Sequence, residues 1–381
     1  MNDGPPEAIE EDPAEDEIPT EPDVTVEGDA EEPEIEAKRF VVSSYGWDSD
    51  VEGLVKRLNR EDIYVPGFQR SMVWDRGEKS RFVESLILGL PVPTVFLAQD
   101  FNSKKLNIVD GQQRLRSLQQ YLNGEFPLQG KGIPEDLAGR YYSRDVVKSK
   151  RTKVLSDADA RALADALVHS VVIKPDPSDN DVDKGAEYNR AVIQIFYRLN
   201  ANGRVLQAQE IRASIYHGNF DQLLRKMNEV ESWRSMFGQR HGRLKDVEAL
   251  LRYLALLDEG DAYRSPMPRF LDKYMENHRN IDQATADTWI SEFDKAVSMV
   301  FRLKGAAAFK QGGTFVLSRF DAMMTGIVSG FRAGKDGDQW LVERWDELEA
   351  DADYKWSIDE FVNDTNRVSK RLERAIAIFT K

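Results

Sequence analysis

A chain of 381 residues has material for two or three domains, and its 41% hydrophobic content supplies a core despite a net charge of −14, which excludes a wholly disordered protein. Cysteine is absent, which excludes disulfides, thiolate metal sites and a cysteine nucleophile, and the histidines (His169, His217, His241 and His278) are too scattered for a His-rich metal centre. The longest uncharged apolar run, Leu86 to Ala98, is broken by Gly89, Pro91 and Pro93, and the acidic start is unlike a signal or transit peptide, so no membrane association and a cytoplasmic location are expected.

The charge sits at the front. Residues 1–36 hold 16 Asp or Glu, no Lys or Arg, and six of the 15 prolines, while the remainder is near neutral with 50 acids against 52 bases. Repulsion and proline predict disorder through about Ala37. This segment reads either as a solubilising leader or as a polyanion that mimics nucleic acid in a basic groove.

Ordered structure is expected from Phe40. Val51 to Asn59 has amphipathic helical spacing, and Pro66-Gly67 marks a turn. Asp75 to Gly89 predicts a helix with an Asp75/Glu78 capping box and an apolar face of Phe82, Val83, Leu86 and Ile87. Strands are expected at Thr94 to Ala98 and Leu106 to Val109, followed by a tight turn at Asp110-Gly111 and a helix ending near Gly124. Tyr141 to Leu155 reads as a basic, exposed strand or hairpin, and Val168 to Ile173 as another strand. Pro175 to Lys184 is a polar loop. From Tyr188 the pattern is helical, with a break at Asn200 to Gly203, a helix at Gln207 to Tyr216, and further helices at 219–231, 246–258, 284–304, 314–332 and 357–379. The fold class is α+β: a small N-terminal module joined near 175–187 to an all-helical C-terminal module.

Three segments invite a chemical reading. In Ile63 to Trp74, Gln69 and Arg70 stand together after a Pro-Gly turn. Arg70 suits bidentate contact with phosphate and Gln69 a base, sugar or water, yet a turn with a surface arginine explains them too. In Val109 to Arg114, a strand, a glycine turn and a helix start present the N–H groups of Gly111, Gln112 and Gln113 to an anion. A D-x-x-Q capping box, Asp110 to Gln113, accounts for the same residues without a ligand. Against the box, Arg114 in the first turn opposes the helix dipole unless an anion compensates. In Phe196 to Arg212, Arg198 and Asn200 end one helix, while Gln209, Glu210 and Arg212 open the next. That is a helix–turn–helix corner or a second wall of the same pocket.

Basic residues Lys131, Arg140, Arg144, Lys148, Lys150, Arg151 and Lys153 interleave with Tyr141 and Tyr142, as a DNA-binding patch or an ordinary solvated hairpin would. Arg225, Lys226, Arg234, Arg240 and Arg243 form a second basic group. The stretch 124–132 is not a P-loop, because its glycine spacing is wrong and Gly132 stands where Ser or Thr is required.

Taken together, Pro66-Gly-Phe-Gln-Arg-Ser-Met-Val-Trp74, Ser85-Leu-Ile-Leu-Gly-Leu-Pro-Val-Pro93 and Ile108-Val-Asp-Gly-Gln-Gln-Arg-Leu-Arg-Ser-Leu118 resemble the GmrSD-type restriction endonuclease N-terminal domain family. Phe196 to Asn200, Gly203, Leu206, Gln209, Glu210, Arg212, and Arg243 with Asp246 extend the resemblance over roughly Ile63 to Leu257.

The resemblance implies a ParB/sulfiredoxin-like module at 38–180, after an acidic tail at 1–37 and before a helical module at 181–381. It implies a nucleotide site at the D-G-Q-Q-R turn and an NTP-hydrolysing, DNA-sensing subunit of a modification-dependent restriction or phage-defence system. In that reading Asp110, Gln112, Gln113 and Arg114 are catalytic, with Mg²⁺ on Asp110. Gln69, Arg70, Gly111, Arg198 and Asn200 bind the nucleotide. Larger members carry an H-N-H nuclease, whose histidine set this sequence lacks, so cleavage would need a separate nuclease subunit. A homo-oligomer is compatible with this reading. The alternative is a non-enzymatic ParB-like DNA-binding adaptor or regulator.

Overall fold

The computed structural model describes residues 42–64, 74–101, 103–146, 152–175, 182–200 and 207–381. The acidic tail and the segment holding Gln69 and Arg70 lie outside these.

The N-terminal domain opens with β1 (Ser43–Asp50), α1 (Val51–Asn59), β2 (Ile63–Tyr64) and α2 (Arg76–Ile87). It continues through β3 (Val95–Gln99), β4 (Leu106–Asp110), α3 (Gln112–Leu122), α4 (Asp157–Asp165) and β5 (Leu167–Lys174). The strands form one mixed sheet in the order β1-β5-β3-β4-β2. β1/β5 and β3/β4 are antiparallel, while β5/β3 and β4/β2 are parallel. The predicted capping box starts α2: Glu78 N–H donates to Asp75 Oδ1 at 2.7 Å, and Asp75 N–H to Glu78 Oε2 at 2.9 Å.

The expected hairpin at Tyr141 to Leu155 is not formed among the described residues. An isolated Tyr141–Val154 bridge and one 3-10 turn at Arg144–Val146 stand there instead. Among the described residues, the side chains of Arg140 and Arg144 bond main-chain carbonyls of Val154 and Thr152, which joins the two flanks without a strand ladder.

Helices then follow: α5 (Val182–Asn200), α6 (Ala208–Ile215), α7 (Asn219–Asn228), α8 (Glu231–Phe237), α9 (Lys245–Glu259), α10 (Met267–Asn277) and α11 (Gln283–Lys304). After a two-stranded turn of β6 (Lys310–Gln311) and β7 (Thr314–Phe315) come α12 (Leu317–Arg332), α13 (Asp338–Ala350), α14 (Ala352–Ser357) and α15 (Thr365–Phe379). The expected single helix at 219–231 is two, α7 and α8, and the helix expected at 357–379 starts only at Thr365, capped by Asp364. No helix among the described residues is long and apolar enough to cross a membrane.

Each face of the sheet has its own core. On one, Leu97, Ile108 and Val172 pack with Leu54, Val83, Leu115, Leu118 and Leu163 from α1 to α4. On the other, Ala98, Val109 and Ile173 join the core of the helical module through Tyr188, Val192 and Phe196 of α5. The Tyr188 hydroxyl lies 2.8 Å from Gln99 O and 3.1 Å from Ile173 O, so it spans neighbouring strands β3 and β5.

Candidate functional site

The site is built at the junction of β4 and α3. Gly111 turns the chain at φ +97°, and a Cβ there would stand 2.9 Å from Val95 Cγ2, so both the backbone hand and the available space require glycine. Gly111 is the N-cap of α3 and offers no capping side chain. The first helical bond runs from Leu115 N–H to Gly111 O at 3.0 Å. The N–H groups of Gln112, Gln113 and Arg114 therefore find no partner among the described residues. The D-x-x-Q capping box is overturned: Asp110 falls one residue before the cap, and its carboxylate is engaged elsewhere.

That carboxylate meets Arg114. Arg114 Nη2 donates to Asp110 Oδ2 at 2.6 Å, while Nη1 donates to Pro93 O at 2.6 Å and Thr94 O at 3.0 Å. Contrary to expectation, Arg114 needs no external anion to offset the helix dipole, because Asp110 supplies one from within the chain. One guanidinium also ties the end of the Pro91-Val-Pro93 segment to the D-G-Q-Q-R turn. Two motifs that are separate in sequence are joined by this side chain. Asp110 Oδ1 accepts no hydrogen bond among the described residues, and the Asp110 side chain is 40% exposed.

Two polar atoms at the turn are buried and unpartnered, Gln112 Nε2 and Gln113 Oε1. A buried polar group in that state costs about 1–3 kcal/mol. The turn therefore presents open amides and orphaned glutamine groups together.

The second wall divides in two. α5 and α6 both pack against β4. Arg198, in the last turn of α5, is exposed and makes no ion pair among the described residues. Asn200 ends α5, and its side chain lies outside the described residues. Gln209, Glu210 and Arg212 instead hold the helical module together. Glu210 forms a capping box with Gln207, and the buried Arg212 bonds Asp272 Oδ1 at 2.7 Å and Gln209 Oε1 at 3.4 Å.

Of the basic patch, Arg140 bonds Asp136 O and Val154 O, and Arg144 bonds Thr152 O at 2.6 Å, so both guanidinium groups serve the loop. Lys131 and Lys153 are exposed, whereas Lys148, Lys150 and Arg151 lie outside the described residues. The Tyr142 ring leans edge-on against buried Tyr121 at 6.3 Å and is not displayed for stacking. In the second group, Arg225, Arg234 and Arg240 pair with Asp221, Asp246 and Glu229.

A shallow cleft of about 430 Å³ lies elsewhere on the domain, lined by Leu86, Leu90, Pro91, Val92, Ala162 and Leu167 among others; none of the turn residues lines it.

Sequence reasoning missed the seam between domain and helical module. Tyr64 of β2 stacks on His217, and burial together with the Asp221 carboxylate pushes the Tyr64 hydroxyl up to about 12. Burial lowers the His217 pKa. Nothing local in sequence links residues this far apart.

No curated protein and no solved structure matches the chain. Residues 51–217 match the family described as GmrSD restriction endonuclease, N-terminal domain. The matched segment runs from the start of α1 to just beyond α6, and takes in β2 to β5, the Gly111 turn and the two helices behind it. The N-terminal part of the chain is therefore a mixed α/β domain of the ParB-like kind, similar to the GmrSD restriction endonuclease N-terminal domain over residues 51–217, and an all-helical module follows.

Proposed function

We propose that the Gly111 turn binds the phosphate chain of a nucleotide, and that the protein is an NTP-hydrolysing, DNA-sensing subunit of a cytoplasmic restriction or phage-defence system whose nuclease is a separate chain. The observation that carries this reading is the coincidence of unpartnered N–H groups at Gln112 to Arg114 with the orphaned buried groups of Gln112 and Gln113. Phosphate oxygens would accept from the open amides and from Gln112 Nε2. Gln113 Oε1 would accept from a water aligned for attack. Arg198 is an exposed cation in the last turn of α5, a helix that packs against the turn's own strand, and is suited to the outer phosphate.

Arg114 is a positioning residue in this mechanism. Its guanidinium holds Asp110 and the Pro93–Thr94 main chain in register with the turn. Asp110 Oδ1 fits an Mg²⁺ ion held through water, since that oxygen carries no hydrogen bond among the described residues. The ion would supply charge neutralisation on the phosphates.

The test is calorimetric titration of each of the four NTPs, followed by phosphate release with and without DNA. Saturable binding with DNA-stimulated turnover is expected. Failure of every NTP to bind at millimolar concentration would sink the reading. A second reading, a DNA-binding adaptor with a nucleotide switch, is favoured by the internal engagement of Arg114, which leaves fewer cations for the transition state. It expects binding with no phosphate release.

A further inference from the structure

We propose that Asp258, Glu259 and His278 bind one divalent transition-metal ion of the Zn²⁺ or Mn²⁺ class, which clips the end of α9 to the end of α10. One ligand atom from each of the three side chains lies within 4.8 Å of the others. His278 Nε2 and Asp258 Oδ2 are 3.3 Å apart, close to the separation of two ligands that each sit about 2.0–2.2 Å from a shared ion.

The tautomer of His278 favours this use. Its Nδ1 is 3.0 Å from Tyr274 O. A carbonyl only accepts, so Nδ1 carries a hydrogen, and an ion that displaces any proton on Nε2 would find that nitrogen's lone pair facing the carboxylates. Metal-bound imidazoles are held by this kind of bond from the other ring nitrogen. The ring is fixed further by stacking on Tyr274 at 4.0 Å, with Phe220 and Trp289 at about 6 Å, at 6.1 and 6.0 Å respectively.

The helix ends point the same way. Asp258 and Glu259 close α9, which has no basic residue in its last turn, and His278 is the C-cap of α10, which has none either. Carboxylates at the negative end of a helix dipole are repelled, and a cation between two such ends offsets that cost. Neighbouring residues on a helix point about 100° apart, which follows from 3.6 residues per turn. Glu259 leaves helical geometry at φ −119°, ψ 24°, so both side chains can reach one point. Glu259 has no hydrogen bond or ion pair among the described residues, and Tyr274 donates to Asp258 Oδ2 at 3.3 Å. Arg332, on which Asp258 acts only as a minor electrostatic influence, is clamped on Glu292 at 3.0 and 2.7 Å.

One imidazole and two carboxylates suit Zn²⁺ or Mn²⁺ and leave coordination positions for water. Calcium would ask for more oxygens. The ion would complete a pattern already present: Arg212 joins the same two helices through Glu248 of α9 at 3.6 Å and Asp272 of α10 at 2.7 Å.

The experiment is calorimetry of the full chain, stripped with chelator, against ZnCl₂ and MnCl₂, with Co²⁺ absorption as a second readout. One equivalent should bind. His278→Ala should abolish the Co²⁺ band, and Glu259→Gln, a change on a partly exposed side chain, should weaken affinity at least tenfold with the circular dichroism spectrum unchanged. His169→Ala, which removes the exposed His169–Asp48 pair, should bind as wild type. No saturable binding of either ion, or stoichiometric binding unaffected by both Glu259→Gln and His278→Ala, would overturn the proposal.

Discussion

The imidazole of His217 lies on the ring of Tyr64, with centroids 3.9 Å apart and planes inclined by 24°. The contact fastens a two-residue edge strand to the connection between α6 and α7. Burial lowers the His217 pKa from its ordinary 6.5, against the opposing pull of Asp221 and with help from Arg279, Arg225 and Lys105. Between the two values the unfolded chain takes up a proton that the folded chain refuses. Stability from this group is therefore complete above about 6.5 and is lost as pH falls toward the lowered value. Urea midpoints should drop between about pH 7.5 and 5.5, and His217→Phe, which keeps a ring without a proton to bind, should flatten that slope.

Replacing Arg114 separates positioning from contact. Arg114→Ala removes three charge-assisted bonds from one partly buried group and should cost about 2–4 kcal/mol by chemical denaturation. Arg114→Lys restores the charge but not the planar fork, and should recover little of either stability or nucleotide affinity. Full recovery of affinity by lysine alone would show that charge, and not geometry, is what the turn requires.

Gln113 should show opposite effects on stability and binding. Its Oε1 is buried without a partner. Gln113→Met, similar in volume and without that demand, should raise stability by about 1 kcal/mol and lower NTP affinity at least tenfold. Differential scanning calorimetry and NTP titration of the same sample decide it.

Asp321 is the anion at the heart of the helical module. It is fully buried and meets Arg252 at 2.6 Å and Arg371 at 3.1 Å. Asp321→Ala leaves two buried guanidinium groups without it and should destabilise by about 3–5 kcal/mol in guanidinium titration. The guanidinium groups it meets, those of Arg252 in α9 and Arg371 in α15, belong to the helical module and not to the Gly111 turn, so any residual folded protein should keep NTP affinity.

The parts of the fold legible in sequence are those whose signals are local. The Val51 to Asn59 helix, the Asp75 capping box and the β3–β4–α3 run follow from spacing and end residues. The acidic helix α4 was not expected, because it buries little besides Leu163 and so shows no apolar stripe. β1 was hidden by its polar sequence, Ser43 to Asp50, which suits an exposed edge. At the site, the D-G-Q-Q-R turn is visible in the chain, while the use of Arg114 is not. Its carbonyl acceptors lie 20 and 21 residues away and carry no side-chain signature. Likewise, a histidine without a second histidine reads as inert until the fold brings two carboxylates from another helix to it.

Val109 belongs to the core of the helical module, and the next residue is Asp110. A fragment cut off before α5 would keep every letter of the D-G-Q-Q-R motif yet bare one side of its sheet to water. Any movement of the helical bundle, for instance when a partner docks on it, has one peptide bond to cross before it reaches the Gly111 turn. Bundle and turn are mechanically adjacent, because neighbouring residues of one strand belong to each.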